Sequence, residues 1–163
     1  MPAAFGDLPF LRFLHLGYNT LTGNIPAGVF ALDSLRTLYL GGNELTGELP
    51  AAFDEATQLE WLVLYHNQLS GELPASMAAF TSLEVINLSD NNFSGSIPTG
   101  LGDLPNIAGV QLANNNFSGC FPEDLTAAAD YGTTLNVPVL ESGIYLLEAT
   151  SGAERGVRRI IVQ

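Results

Sequence analysis

The sequence predicts an α/β-type repeat solenoid with one short parallel strand per repeat, followed by a short C-terminal antiparallel β segment. Three observations predict it. A 24-residue period runs unbroken through five copies, with asparagine at Asn19, Asn43, Asn67, Asn91 and Asn115. Glycine and proline keep the same step, at Gly23, Gly47, Gly71, Gly95 and Gly119 and at Pro26, Pro50, Pro74, Pro98 and Pro122. After the fifth proline the period stops and apolar runs separated by turn residues replace it. A fixed period of this length marks supersecondary units that bury a continuous core only when stacked.

The chain opens half-way through a unit. Met1–Asp7 matches the later Leu49–Asp54, and Pro2 stands one period before Pro26. Solenoids need terminal units that cover the open end of the core, so upstream repeats are expected beyond this start. The opening residues have no basic n-region and no long apolar stretch, so no signal peptide is read in them.

Each repeat then carries one apolar frame: Leu11-Leu14-Leu16, Leu35-Leu38-Leu40, Leu59-Leu62-Leu64, Leu83-Ile86-Leu88 and Ile107-Val110-Leu112. The last two apolar positions alternate with period two, as a strand with its leucines inward. Equivalent strands stack into a parallel sheet with a spacing of about 4.8 Å. The asparagine follows, where the chain turns inward and backbone groups lose ladder partners. A buried amide both donates and accepts, so it satisfies them in every repeat. The following Gly and apolar-Pro pair set a tight path that disfavours helix before the proline. A short helical turn, such as Ala75–Phe80, is expected to carry the chain to the next strand.

Taken together, L-x-x-L-x-L-x-x-N-x-L-[T/S]-G-x-[I/L]-P over residues 1–125 resembles the plant-type leucine-rich repeat. The resemblance implies a right-handed superhelix with a parallel sheet on its concave face, used to bind proteins, peptides or glycans without catalysis. Family members include plant receptor ectodomains and surface proteins of bacteria and algae. Related terminal repeats carry a cysteine pair at this point. Cys120 matches the first member, but Leu125–Gly132 contains no second. It is the only cysteine, so it reads either as a buried apolar filler or as a thiol open to an intermolecular partner.

Residues 126–134 read as a linker and 135–163 as a β tail. TTLNVPVL, GIYLLEAT and GVRRIIVQ are three short β segments whose connections are too brief for a crossover helix, so they pair antiparallel. The run Leu140–Gln163 resembles the end of the C-terminal sorting domain of the Bacteroidetes type IX secretion system. Its Ser142-Gly143-Ile144-Tyr145-Leu146, its turn at Gly152 and its Arg158-Arg159 before a final apolar strand carry that likeness. The resemblance implies the type IX secretion machinery as a partner and a secreted or cell-surface location. The front half of that domain, with its Pro-Asn-Pro opening, is absent. A hairpin that only caps the solenoid is the other reading.

Composition narrows the function. Net charge is −12 with no lysine at all. Up to Asp130 fourteen acids face two arginines, so the chain up to that residue holds the whole net charge. Binding of nucleic acid by phosphate neutralisation is excluded on that balance. No run of 18 apolar residues exists, so no transmembrane segment is read. There is no nucleophile elbow, no phosphate-cradling glycine loop and no H-E-x-x-H, so no enzyme, cofactor or metal is expected.

The variable positions around L-x-L face outward, and they are where a ligand is expected. One column runs Phe13, Thr37, Trp61, Val85, Gly109 and the next His15, Tyr39, Val63, Asn87, Gln111. Two more follow: Gly17, Gly41, Tyr65, Ser89, Ala113, then Tyr18, Gly42, His66, Asp90, Asn114. The candidate ligand-binding residues are therefore Phe13, His15, Tyr18, Tyr39, Trp61, Tyr65 and His66. They fall on one face, with the larger aromatics within roughly 10 to 15 Å. Grouped exposed aromatics anchor protein interfaces and stack on sugars, although they also serve as sheet filler. Arg12, Arg36, Glu60 and Glu84 form a charged column beside them. A stalk that presents a domain upstream, with no ligand of its own, is the alternative function, as is a fragment of a plant-like receptor.

Overall fold

The computed structural model of the protein describes residues 1–119, Pro122, Leu125, 143–151 and 154–162. Cys120, the linker and the first β segment of the tail lie outside them. Five three-residue strands, β1 (Phe13–His15), β3 (Thr37–Tyr39), β5 (Trp61–Val63), β7 (Val85–Asn87) and β9 (Gly109–Gln111), form one parallel sheet in chain order. Register is one repeat per strand: Leu14 pairs with Leu38, Leu38 with Leu62, Leu62 with Ile86 and Ile86 with Val110. These inward residues are buried, as the alternation predicts. Burying one such side chain is worth about 1.5–3 kcal/mol, and no single repeat buries its own.

The asparagine ladder does what was expected of it. Asn67 accepts from the Leu45 N–H at 2.9 Å and donates to the carbonyls of Leu64 at 2.9 Å and Leu40 at 3.1 Å. Asn43, Asn91 and Asn115 repeat this pattern, each reaching back to the preceding repeat, and all four are buried. Asn19 bonds within its own repeat alone. It is exposed and donates only to the nearby Leu16 and Gly17 carbonyls.

A second parallel sheet, not anticipated from the sequence, follows the asparagines. It consists of β2 (Thr22–Gly23), β4 (Glu44–Gly47), β6 (Gln68–Glu72), β8 (Asn92–Gly95) and β10 (Asn116–Phe117). The glycines that recur at the repeat period fall at or near the ends of these strands in a left-handed conformation, as at Gly71 (φ +84°). A Cβ there would lie 2.6 Å from the Glu48 side chain, so glycine is required twice over.

The connecting arcs are short. Ala3–Asp7, Ala51–Glu55 and Ala75–Ala79 are 3-10 turns, and α1 (Ala27–Phe30) is a single α turn. Proline precedes each in an extended conformation. The fifth arc, 99–103, forms no helix, because Gly100 sits at φ +84° and breaks the turn. Phe30, Phe53 and Phe80 pack beneath the arcs, with ring centroids 5.2 and 5.1 Å apart, and close the core opposite the first sheet.

In the tail, β11 (Gly143–Ser151) and β12 (Glu154–Val162) pair antiparallel from Gly143–Val162 to Ser151–Glu154. This matches the expected hairpin. Among the described residues no helix is long and apolar enough to cross a membrane.

Candidate functional site

The exit from each concave strand places one residue in left-handed backbone: Tyr18 (φ 55°), Gly42 (φ 70°), His66 (φ 48°), Asp90 (φ 55°) and Asn114 (φ 54°). Glycine, histidine, aspartate and asparagine tolerate this region; a tyrosine there is uncommon and carries strain. Tyr18 is nonetheless held firmly. Its ring lies over Gly42, whose Cβ position would be 2.8 Å from it. Its hydroxyl accepts a hydrogen bond from Tyr65 at 2.5 Å.

Tyr65 is the hub. Its hydroxyl also bonds that of Tyr39 at 2.7 Å, and since its one proton goes to Tyr18, Tyr39 is the donor in that second bond. The rings of Tyr18 and Tyr39 meet Tyr65 edge-on at 6.1 and 6.0 Å. His15 stacks on Tyr39 at 4.1 Å, and His66 meets Tyr65 at 5.4 Å. The floor of this cluster is glycine. A Cβ on Gly17 would fall 2.3 Å from the Tyr39 ring, and one on Gly41 2.6 Å from the Tyr65 ring. So His15, Tyr18, Tyr39, Tyr65 and His66 form one connected aromatic block, and Gly17, Gly41 and Gly42 are part of it. Sequence reasoning missed the glycines' role; large aromatics one repeat away from glycines in the same or a neighbouring column were the available signal.

Partial burial, and then the hydrogen bonds to Tyr18 and Tyr39, push the Tyr65 phenol well above the ordinary tyrosine range. A raised folded-state value means that the fold holds this proton more tightly than the unfolded chain does. The stabilisation is complete below about pH 10 and declines as pH rises beyond it toward the folded value. Spectrophotometric titration should therefore show a late-ionising tyrosine. Tyr65→Phe should delete that late step and flatten the alkaline loss of stability. A titration without that late step would contradict the network.

Phe13 and Trp61 stand apart from the block. They share a register column with Thr37 between them and are among the most exposed large apolar side chains, at 64 % and 44 %. The Arg12 guanidinium lies 5.8 Å from the Phe13 ring centre. The Trp61 indole N–H donates to Glu84 Oε2 at 3.2 Å. Arg36 donates to the Gln58 carbonyl and side chain, and its Nε lies 3.8 Å from Glu60 Oε1.

Val63 departs from the expected outward column. It pairs in register between Tyr39 and Asn87 yet is buried, which divides that column into an aromatic half and a polar half. The polar half is hydrogen-bonded to itself. Asn87 donates to Gln111 at 2.6 Å and accepts from Ser89 at 2.7 Å, while Asp90 accepts from Asn114 at 2.7 Å and faces His66 Nδ1 at 3.5 Å. Among the described residues no group of three acids, histidines or cysteines is placed to hold a metal ion.

Family models for the leucine-rich repeat match residues 11–69 and 82–104, together just over half the chain. The chain belongs to the leucine-rich-repeat family. Solved structures agree. The Arabidopsis receptor kinase HAESA, in complex with the peptide hormone IDA and the co-receptor SERK1, is 34 % identical over 83 % of this chain, with a TM-score of 0.76. The plant peptide hormone receptor RGFR1, in complex with RGF2, is 33 % identical over 77 %, with a TM-score of 0.74. The BIR2 ectodomain from Arabidopsis thaliana is 33 % identical over 69 %, with a TM-score of 0.66. This leucine-rich-repeat chain spans 23 % of the HAESA chain, 20 % of the RGFR1 chain and 59 % of the BIR2 chain. A search of curated proteins found no match.

Proposed function

We propose that this leucine-rich-repeat chain is a non-catalytic recognition module that binds a protein or peptide segment on its concave sheet, in a secreted or cell-surface setting. One observation carries the reading. Phe13, Tyr18 and Trp61, three of the five exposed large apolar residues among those described, stand on the same sheet face, Tyr18 within the connected aromatic block and the other two beside it. Exposed apolar anchors next to pre-ordered rings cost little entropy to bind against. Two of the structural neighbours described above are receptors captured with peptide hormones, which supports peptide as the ligand class.

The test is selection of binders from a displayed random-peptide library, followed by titration of the best peptide. Trp61→Ala with Tyr39→Ala should weaken it at least ~100-fold, as loss of two hot-spot aromatics does. A stalk with no ligand of its own yields no selected peptide, or one indifferent to both substitutions.

The antiparallel pairing of β11 with β12 supports a second part of the proposal, that the tail serves as a type IX sorting signal. A reporter fused to residues 135–163 should then leave a type IX-competent cell. Its retention would leave the tail as a cap.

A further inference from the structure

The charged column that precedes the concave strands changes sign half-way along the solenoid. Arg12, Arg36, Glu60 and Glu84 are consecutive in it, joined by backbone bonds of 2.8 Å from Arg36 N to Arg12 O, Glu60 N to Arg36 O and Glu84 N to Glu60 O. Two arginines are followed by two glutamates, one per repeat.

The two glutamates are not equivalent. Glu60 has Arg36 beside it, with Nε at 3.8 Å. Glu84 is followed in the column by Ala108, whose N–H bonds the Glu84 carbonyl at 2.7 Å. Among the described residues no basic side chain pairs with the Glu84 carboxylate. One of its oxygens accepts the Trp61 indole N–H. That bond uses the edge of the ring and leaves the π faces to other partners. Trp61 makes no ring contact among the described residues and is 44 % exposed. An indole held against an unbalanced carboxylate is complementary to a cation, which gains from the ring quadrupole and from the charge together. The chain as a whole carries −12, so approach of a basic segment is favoured from a distance as well.

Resting on the proposed peptide-binding reading, we infer that the bound segment sets a cationic side chain, arginine or lysine, against Trp61 and Glu84. The aromatic block of Tyr18, Tyr39 and Tyr65, on the repeat of Trp61 and the two before it, then takes the neighbouring apolar part of the same segment. Specificity divides accordingly. The tyrosines supply a surface that many segments fit, and Glu84 selects among them by charge.

The peptides obtained by the library selection provide the test, and Trp61, the only tryptophan, reports occupancy through its own fluorescence. Selected peptides should be enriched in arginine or lysine. Replacing that residue by neutral citrulline or norleucine, or making Glu84→Gln, should each weaken binding about tenfold, and the two together little more than either alone. Glu72→Gln removes an equal charge from the second-sheet side and should leave affinity unchanged, which separates local pairing from the general field. Peptides selected without a cation, or cationic peptides indifferent to Glu84→Gln but lost with Trp61→Ala, would overturn this inference and leave concave-face binding standing. Failure to select any peptide would overturn both.

Discussion

Replacing Asn67 by alanine is expected to lower the unfolding free energy by about 2–3 kcal/mol, more than an ordinary polar truncation. The amide accepts from Leu45 N–H and donates to the carbonyls of Leu40, Leu64 and Tyr65. Asn67 is itself buried, as are Leu40, Leu45 and Leu64, so water cannot replace the lost partners without opening the repeat. The Leu40, Leu64 and Tyr65 carbonyls keep other donors, the Asn43 amide, the Asn91 amide and the Gly42 N–H, so the Leu45 N–H is the group left without its partner, at roughly 1–3 kcal/mol, and the methyl of alanine supplies nothing in return. Asn19→Ala is the control. Its side chain is exposed and bonds only the local Leu16 and Gly17 carbonyls, so a loss below about 1 kcal/mol is expected. Urea unfolding gives both numbers, and faster hydrogen exchange at the Leu45 amide would locate the damage. Equal costs at Asn67 and Asn19 would mean that the inter-repeat bonds contribute nothing beyond local capping. A link to function also follows, since the Tyr65 carbonyl is one of the four partners. A protein with this substitution that still folds should bind peptide more weakly, through a loosened tyrosine block.

What the sequence made legible depended on whether the information is periodic. The concave strands could be counted residue by residue, because Leu38, Leu62 and Ile86 alternate with polar neighbours and recur at one step. The second sheet left no such trace. Its segments carry a single apolar residue among small polar ones, as Phe93 does in Asn92–Gly95, with no alternation to mark a strand, and their ladder comes from backbone that glycine allows to turn. The arcs were legible as short helical turns except at 99–103, where a glycine in left-handed backbone overrode the expectation. At the candidate site the columns were readable but the contacts were not. Register places Tyr39 one strand from Val63, yet it does not say that Tyr39 turns back over Gly17 and that Val63 ends up buried. Nor does it say that the Trp61 indole reaches the carboxylate of Glu84, one repeat on and one column over. Side-chain direction within a column is set by which neighbours leave room, and glycine at 17, 41 and 42 decides that here.

Phe53→Ala is expected to cost about 3–5 kcal/mol and to lower the thermal midpoint by on the order of 10 °C. The ring is fully buried, edge-on to Phe30 at 5.2 Å and stacked on Phe80 at 5.1 Å, so its removal opens a cavity that two rigid neighbours cannot fill. In a solenoid each repeat contacts only the next, which makes such a joint a point where stability is transmitted along the chain. Phe53 is that joint for the three central arcs. The double variant with Phe80→Ala should cost less than the sum of the two single variants, because both remove the same stacked pair. Binding separates the two faces of the structure. Phe53 packs under the arcs, and the aromatic block is built on the opposite sheet over Gly17, Gly41 and Gly42. Well below the lowered midpoint, Phe53→Ala should therefore leave peptide affinity within about twofold of the unaltered chain, whereas Trp61→Ala should do the reverse: affinity lost, midpoint almost unmoved. If Phe53→Ala weakened binding as much as Trp61→Ala at such temperatures, the concave platform would depend on the whole cross-section of the solenoid rather than on its own glycine floor and hydroxyl network.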